Sequence, residues 1–195
     1  MKYTFCMLFF CFLFVGCSDD STNNPVDNSG EVRGNLIPLS IYNYWVYRYE
    51  SYRGGVLVQS RLDTLRFDST VTVQNNTWFG AKDRKFADHF YQNRDTGFWE
   101  YDGSGTSIWF KYPVETGQTW MSYSGTIRCE LHNEYLQVPA GTFSGCVRYR
   151  QSDVYAYSIH KIKPGVGILY QEQADSATGV CIKSVYRLSD YHVIP

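Results

Sequence analysis

From residue 37 onward, the side chains alternate in short runs. Trp45, Tyr47 and Tyr49 are separated by Val46, Arg48 and Glu50. Ile127, Cys129 and Leu131 alternate with Arg128, Glu130 and His132, and Tyr155, Tyr157 and Ile159 alternate with Ala156, Ser158 and His160. Val180, Ile182, Ser184, Tyr186 and Leu188 alternate with Cys181, Lys183, Val185 and Arg187. Residues two apart on a strand share a face, so a period of two is the signature of a half-buried sheet. Arg53-Gly54-Gly55, Asn75-Asn76 and Gly103-Ser104-Gly105 punctuate the runs as turns. No apolar stripe persists through three helical turns. The pattern predicts an all-β domain, an antiparallel meander of about ten strands spaced about 8–12 residues apart. It closes as an open barrel or as a two-sheet sandwich.

The same landmarks occur twice in the same order. Pro38-Leu39 followed by Trp45 matches Pro113-Val114 followed by Trp120. The stretch Val73-Gln74-Asn75-Asn76-Thr77-Trp78-Phe79-Gly80 matches Val138-Pro139-Ala140-Gly141-Thr142-Phe143-Ser144-Gly145. Gly97-Phe98-Trp99 then matches Gly167-Ile168-Leu169. One meander used twice, over residues 37–111 and 112–188, accounts for this. Neither copy could bury its apolar face alone, so the two should form one domain, residues 37–195.

Residues 1–36 have a different character. Lys2 precedes an apolar run over residues 4–15, long enough for a signal peptide and short of the roughly 20 residues that span a bilayer. Phe14-Val15-Gly16-Cys17 ends the run, and Ser18-Asp19-Asp20 follows. This order resembles the lipobox of bacterial lipoproteins, with Phe14 where Leu is usual. The resemblance implies cleavage after Gly16, acylation of Cys17 and a membrane held as partner through that lipid. Two or more acyl chains anchor a protein stably where one does not. Ser18 after the Cys fits the sorting pattern for the outer membrane, and Asp19-Asp20 resembles an acidic surface-export signal. Residues 17–36 read as a lipidated Cys and polar tether, poor in core-forming side chains and reaching roughly 25 Å.

A second resemblance lies in the folded part. Val138-Pro139-Ala140-Gly141-Thr142-Phe143, then Cys146, then Lys163-Pro164-Gly165-Val166-Gly167-Ile168 is similar to a pattern of uncharacterised exported lipoproteins. Ile37-Pro38-Leu39 and Trp45 stand for their N-terminal element. That family implies a β-rich exported domain and no established activity, so no catalytic role carries over from the resemblance.

Charge limits the partners. With Lys2 removed, 17 basic residues face 19 acidic ones, so nothing in the balance draws nucleic acid or an anionic surface. The 28 aromatic residues that remain favour strands over helices. Cys129, Cys146 and Cys181 lack the C-x-x-C spacing of a redox or zinc motif, and a buried free thiol is the simplest reading. His89, His132, His160 and His192 are not at metal-ligand spacing, so no metal and no cofactor is expected.

Three groups could carry chemistry. Asp83, Asp88 and His89 lie close in sequence, but a strand would turn Asp88 and His89 to opposite faces. Glu100 and Asp102 share a strand face about 7 Å apart, within the range a glycosidase needs across a cleft. Trp99, Tyr101, Trp109 and Phe110 lie on one hairpin, where they could stack on sugar rings or line a cavity. The expected function is a non-enzymatic binding or scaffolding domain of an outer-membrane or cell-surface lipoprotein, with an envelope protein or glycan as partner. The alternatives are a glycan hydrolase using Glu100 and Asp102, or a carrier of an apolar ligand inside a barrel.

Overall fold

The computed structural model describes residues 35–82, 89–123, 125–153, 155–176 and 179–194. The signal run, Cys17, Asp19, Asp20, Asp83 and Asp88 lie outside the described residues. Twelve strands are present among the described residues. They are β1 (Tyr44–Arg53), β2 (Val56–Val73), β3 (Asn76–Lys82), β4 (Phe90–Arg94), β5 (Gly97–Tyr101) and β6 (Thr106–Lys111) in the first half. In the second half come β7 (Thr119–Ser122), β8 (Gly125–Val138), β9 (Gly141–Ser152), β10 (Ala156–Lys163), β11 (Gly167–Asp175) and β12 (Ile182–His192). There are no helices among the described residues. The strand count exceeds the expected ten because β4, β5 and β7, of four or five residues each, are too short to show a period.

All twelve strands form one antiparallel sheet in the order β6-β5-β4-β3-β2-β1-β12-β11-β10-β9-β8-β7. Each strand pairs with its sequence neighbour, except that β12 pairs with β1 and β6 and β7 share no ladder. The sheet curls into a nearly closed barrel with an unsealed seam between β6 and β7. Of the two architectures the alternation allows, the open barrel is the one formed.

Side chains close the seam where backbone pairing does not. Tyr149 Oη donates to the Lys111 carbonyl at 2.8 Å, and Trp120 Nε1 donates to the Trp109 carbonyl at 3.2 Å. Two carbonyls of an edge strand are thereby satisfied without a strand partner, as buried backbone groups require. The Lys111 ammonium also lies over the Trp120 ring. Burial pushes the Tyr149 phenol well above its ordinary range, so it stays protonated and keeps donating.

One end of the barrel is shut. Leu36 and Ile37 are buried, and the Ile37 carbonyl accepts from Asn93 Nδ2 at 2.7 Å. Gly165 N donates to the Asn35 carbonyl, and Ile194 N donates to Asn43 Oδ1. Both ends of the described chain therefore meet here. Trp45 Nε1 donates to the Val166 carbonyl at 2.7 Å, and Tyr47 Oη to that of Ile168 at 2.9 Å. Gly167 has φ +114°, and a Cβ there would lie 3.0 Å from Trp45 Nε1, so only glycine fits. Ala140 N donates to the Leu188 carbonyl, and Phe143 packs on Tyr191. The motif residues that resemble exported lipoproteins thus build the closed end.

Above the plug runs a chain of aromatic contacts. Trp45 meets Phe67, Phe67 meets Tyr91, and Tyr91 stacks on Phe98 and Trp109. Phe110 then joins Trp109 to Tyr149, and Tyr149 meets Trp120. The space left among Ile37, Trp45, Phe67 and Trp109 is about 20 Å³, close to a single water position. Cys129 and Cys146 are buried, free thiols in this half, and Cys181 is free and exposed. Burial pushes the Cys129 thiol up to about 11.

Candidate functional site

The opposite end of the barrel is open. Between β5–β6 on one side and β9–β12 on the other lies a cavity of about 450 Å³. That falls within the roughly 300–1,000 Å³ of small-molecule pockets. Strand register explains its lining. At the rim, Asp153, Ala156, Asp175 and Ile182 stand side by side on β9 to β12. Two residues deeper come Gln151, Ser158, Gln173 and Ser184. Deeper again come Tyr149, His160, Gln171 and Tyr186. Val147, Ile162 and Ile168 follow, in the apolar half. The inner face thus grades from carboxylates to amides and hydroxyls, then to aromatics, then to aliphatics.

Across the lumen, Glu100 and His89 face these rows, and Trp109 forms the floor. Trp109 borders both the open cavity and the packed aromatic core beneath it. His160 is buried with its ring edge-on to Trp109 and Phe110. His89 Nδ1 contacts Glu100 Oε1. Burial raises the Glu100 carboxyl above its ordinary range, and the hydrogen bond and charge of His89 only partly offset this. Gln171 is 5% exposed, and its carboxamide has no hydrogen-bond partner among the described residues.

The outward faces of the same strands carry a belt of ion pairs. Glu134 accepts from Arg148 and from Lys161 Nζ, and Glu172 accepts from Tyr157, Tyr170 and Lys183. Glu50 accepts from Tyr52 and Arg187. Each of these carboxylates is matched within the chain, so the belt reads as cross-strand support.

The structure separates several residues that the sequence groups together. Glu100 points into the cavity, whereas Asp102 is turned to the β5–β6 turn. There Asp102 Oδ1 accepts from Ser104 N, Ser104 Oγ and Gly105 N, which holds its carboxyl below the usual range. Trp99 and Tyr101 lie on the outer face. Arg94 sits over Trp99 at 4.5 Å, and Tyr101 packs on Trp78 and Phe90. Trp109 and Phe110 are both turned to the lumen, although they are adjacent in sequence. A β-bulge is the reason: Phe98 pairs with Phe110 and Trp99 with Ile108, so Trp109 is the extra residue. His89 pairs with Glu100, eleven residues away, while Asp83 and Asp88 lie outside the described residues.

Gln151, Ser158, His160, Gln171 and Gln173 were not legible as a site. In β10 the stronger apolar run, Tyr157 and Ile159, faces out, where Arg150 covers the Tyr157 ring. The polar run Ala156, Ser158 and His160 faces in. One signal was present: the faces that carry Ile162 in β10 and Leu169 in β11 turn polar toward one end of each strand.

No family model and no curated protein matches this chain. Two solved structures are similar to it at 12% identity, each over 82% of this chain and 99% of its own. One is a Bacteroides fragilis protein taken to be exported, with a YmcC-like fold and a TM-score of 0.49. The other is a Parabacteroides distasonis protein taken to be a lipoprotein, with a TM-score of 0.42.

Proposed function

We propose that this chain is a lipoprotein of the bacterial outer membrane, anchored through Cys17, whose barrel binds a small polar ligand in its open end. The observation that carries the reading is the asymmetry of the lumen. One end is plugged by residues 35–37 and packed with aromatics, while the other opens into a cavity lined by amides, hydroxyls and carboxylates. A pure scaffold has no need of such a cavity, since filling it with aliphatic side chains would stabilise the barrel more. A carrier of apolar ligands would line it with apolar side chains, because buried amides left without partners oppose binding. A glycan hydrolase built on Glu100 and Asp102 would need both carboxylates in one cleft.

The anchor and the cavity are also compatible in direction. The chain leads from Cys17 into the closed end at Asn35, where Gly165 N holds its carbonyl. The open end lies at the pole opposite Asn35.

Blocking the rim tests the reading. Ala156 stands between Asp153 and Asp175, and Ala156→Trp would place an indole across the opening. Protein purified from its own cells should release a small polar compound on denaturation, and the variant should release far less. Recovery from neither protein, or equally from both, would contradict the proposal.

A further inference from the structure

We infer that the ligand of the open end is a neutral saccharide, its hydroxyls held by Gln171, Gln173 and Ser158 and its ring laid against Trp109. This rests on reading the open end as a binding site, and it goes further by naming the chemistry that fits.

Gln171 lies deep in the open end. The residue is 95% buried, yet its carboxamide has no partner among the described residues and its polar atoms stay accessible. It lines the cavity, so its donor and its acceptor are both offered to whatever enters. Gln173 lies on the same face two residues nearer the rim, and Ser158 stands beside it on β10. Carboxamides and hydroxyls each donate and accept, which matches a group that does the same. A sugar hydroxyl is such a group, and vicinal hydroxyls match a row of such side chains.

Among the described residues no Lys or Arg lines the cavity, whereas Glu100, Asp153 and Asp175 do. Phosphate, sulfate and uronate ligands would meet carboxylates of their own sign. Carboxylates do accept hydrogen bonds from neutral hydroxyls.

Trp109 is partly exposed and stacked on Tyr91 and Phe110, so its position is fixed by packing on rings that do not themselves reach the opening. An indole held in this way offers an apolar platform to the C–H face of a pyranose, while the polar rows above take its hydroxyls. The bulge in β6 is what turns Trp109 inward, so the platform and the backbone irregularity are one feature.

The test uses the full chain in a zwitterionic detergent without a sugar headgroup. The probe is an array of neutral hexose and N-acetylhexosamine oligomers, with sulfated and uronate glycans and immobilised polyamines beside them. Binding to at least one neutral glycan is expected. Gln171→Ala should weaken that binding about tenfold or more, the loss of one or two buried hydrogen bonds, without lowering the melting temperature. A purely structural glutamine would lower the melting temperature instead. If Gln171→Ala fails to fold, Gln173→Ala at the less buried position should show the same loss of binding. An array on which no neutral glycan binds, on which only anionic glycans or polyamines bind, or on which both variants bind like the wild type would overturn the inference. A non-saccharide released by the wild type and not by Ala156→Trp would overturn the saccharide but leave the binding site standing. An empty array together with no released compound would overturn both.

Discussion

Glu100 and Glu134 are equally shielded, each with 11% of its side chain exposed, yet they shift in opposite directions. Burial dominates at Glu100 and raises its carboxyl above the ordinary 4.5 despite His89. At Glu134 burial also raises the carboxyl, but hydrogen bonds from Arg148 and Lys161 outweigh it and the net shift is downward. The consequences for stability have opposite signs. The folded state holds the Glu100 proton more tightly than the unfolded chain does, so this group costs stability as pH rises from 4.5 through its raised value. Glu134 contributes stability above 4.5 that is lost as pH falls through its lowered value. Glu100→Gln should therefore raise the melting temperature at pH 7, by about 2–4 °C, and change it little near pH 4. An unchanged or lower melting temperature at pH 7 would contradict the burial argument. Glu134→Gln should destabilise the domain at pH 7 by about 1–3 kcal/mol, because Arg148 and Lys161 lose a charged acceptor. Urea unfolding at the two pH values reads both.

At the scale of elements, the seam is the weak joint. β6 and β7 share no ladder, and Tyr149 and Trp120 supply the hydrogen bonds that a ladder would have made. Tyr149→Phe removes one hydroxyl, leaves the ring in place, and strands the Lys111 carbonyl. A loss of about 1–3 kcal/mol is expected, with faster amide exchange confined to β6, β7 and their hairpins. Wild-type stability in that variant would show that the seam is held by other means. Most strands were legible in the sequence because a half-buried sheet must alternate: Trp45, Tyr47 and Tyr49 do face the lumen, as do Ile127 and Cys129. The hairpin turns were legible too, since Gly54 and Gly55 both have positive φ. Two things were hidden. The bulge at Trp109 resets the face of everything beyond it, and alternation does not carry that information. The polar inner face of β10 inverts the usual rule that the more apolar side turns inward, so alternation alone does not turn Ser158 and His160 toward a lumen. Both exceptions lie at the candidate site, where local rules give way to function.

For the whole molecule, six strands lie on each side of the 112–118 connection, with Trp45 in β1 and Trp120 in β7. Gly97 opens β5 as Gly167 opens β11, both with φ above +110°. The ring that results is asymmetric in two ways: β12 and β1 pair where β6 and β7 do not, and one end is plugged where the other is open. Cys17→Ala should release the protein from membranes or leave it unprocessed, and unchanged membrane association on fractionation would contradict the lipid anchor. The central claim is that the open end holds a ligand, and density inside it tests that claim most directly. In crystals of the protein purified from its own cells, a small polar molecule should lie in contact with Gln171 and Trp109. A lumen filled to the rim by the chain's own side chains, with no room for a ligand, would contradict the account.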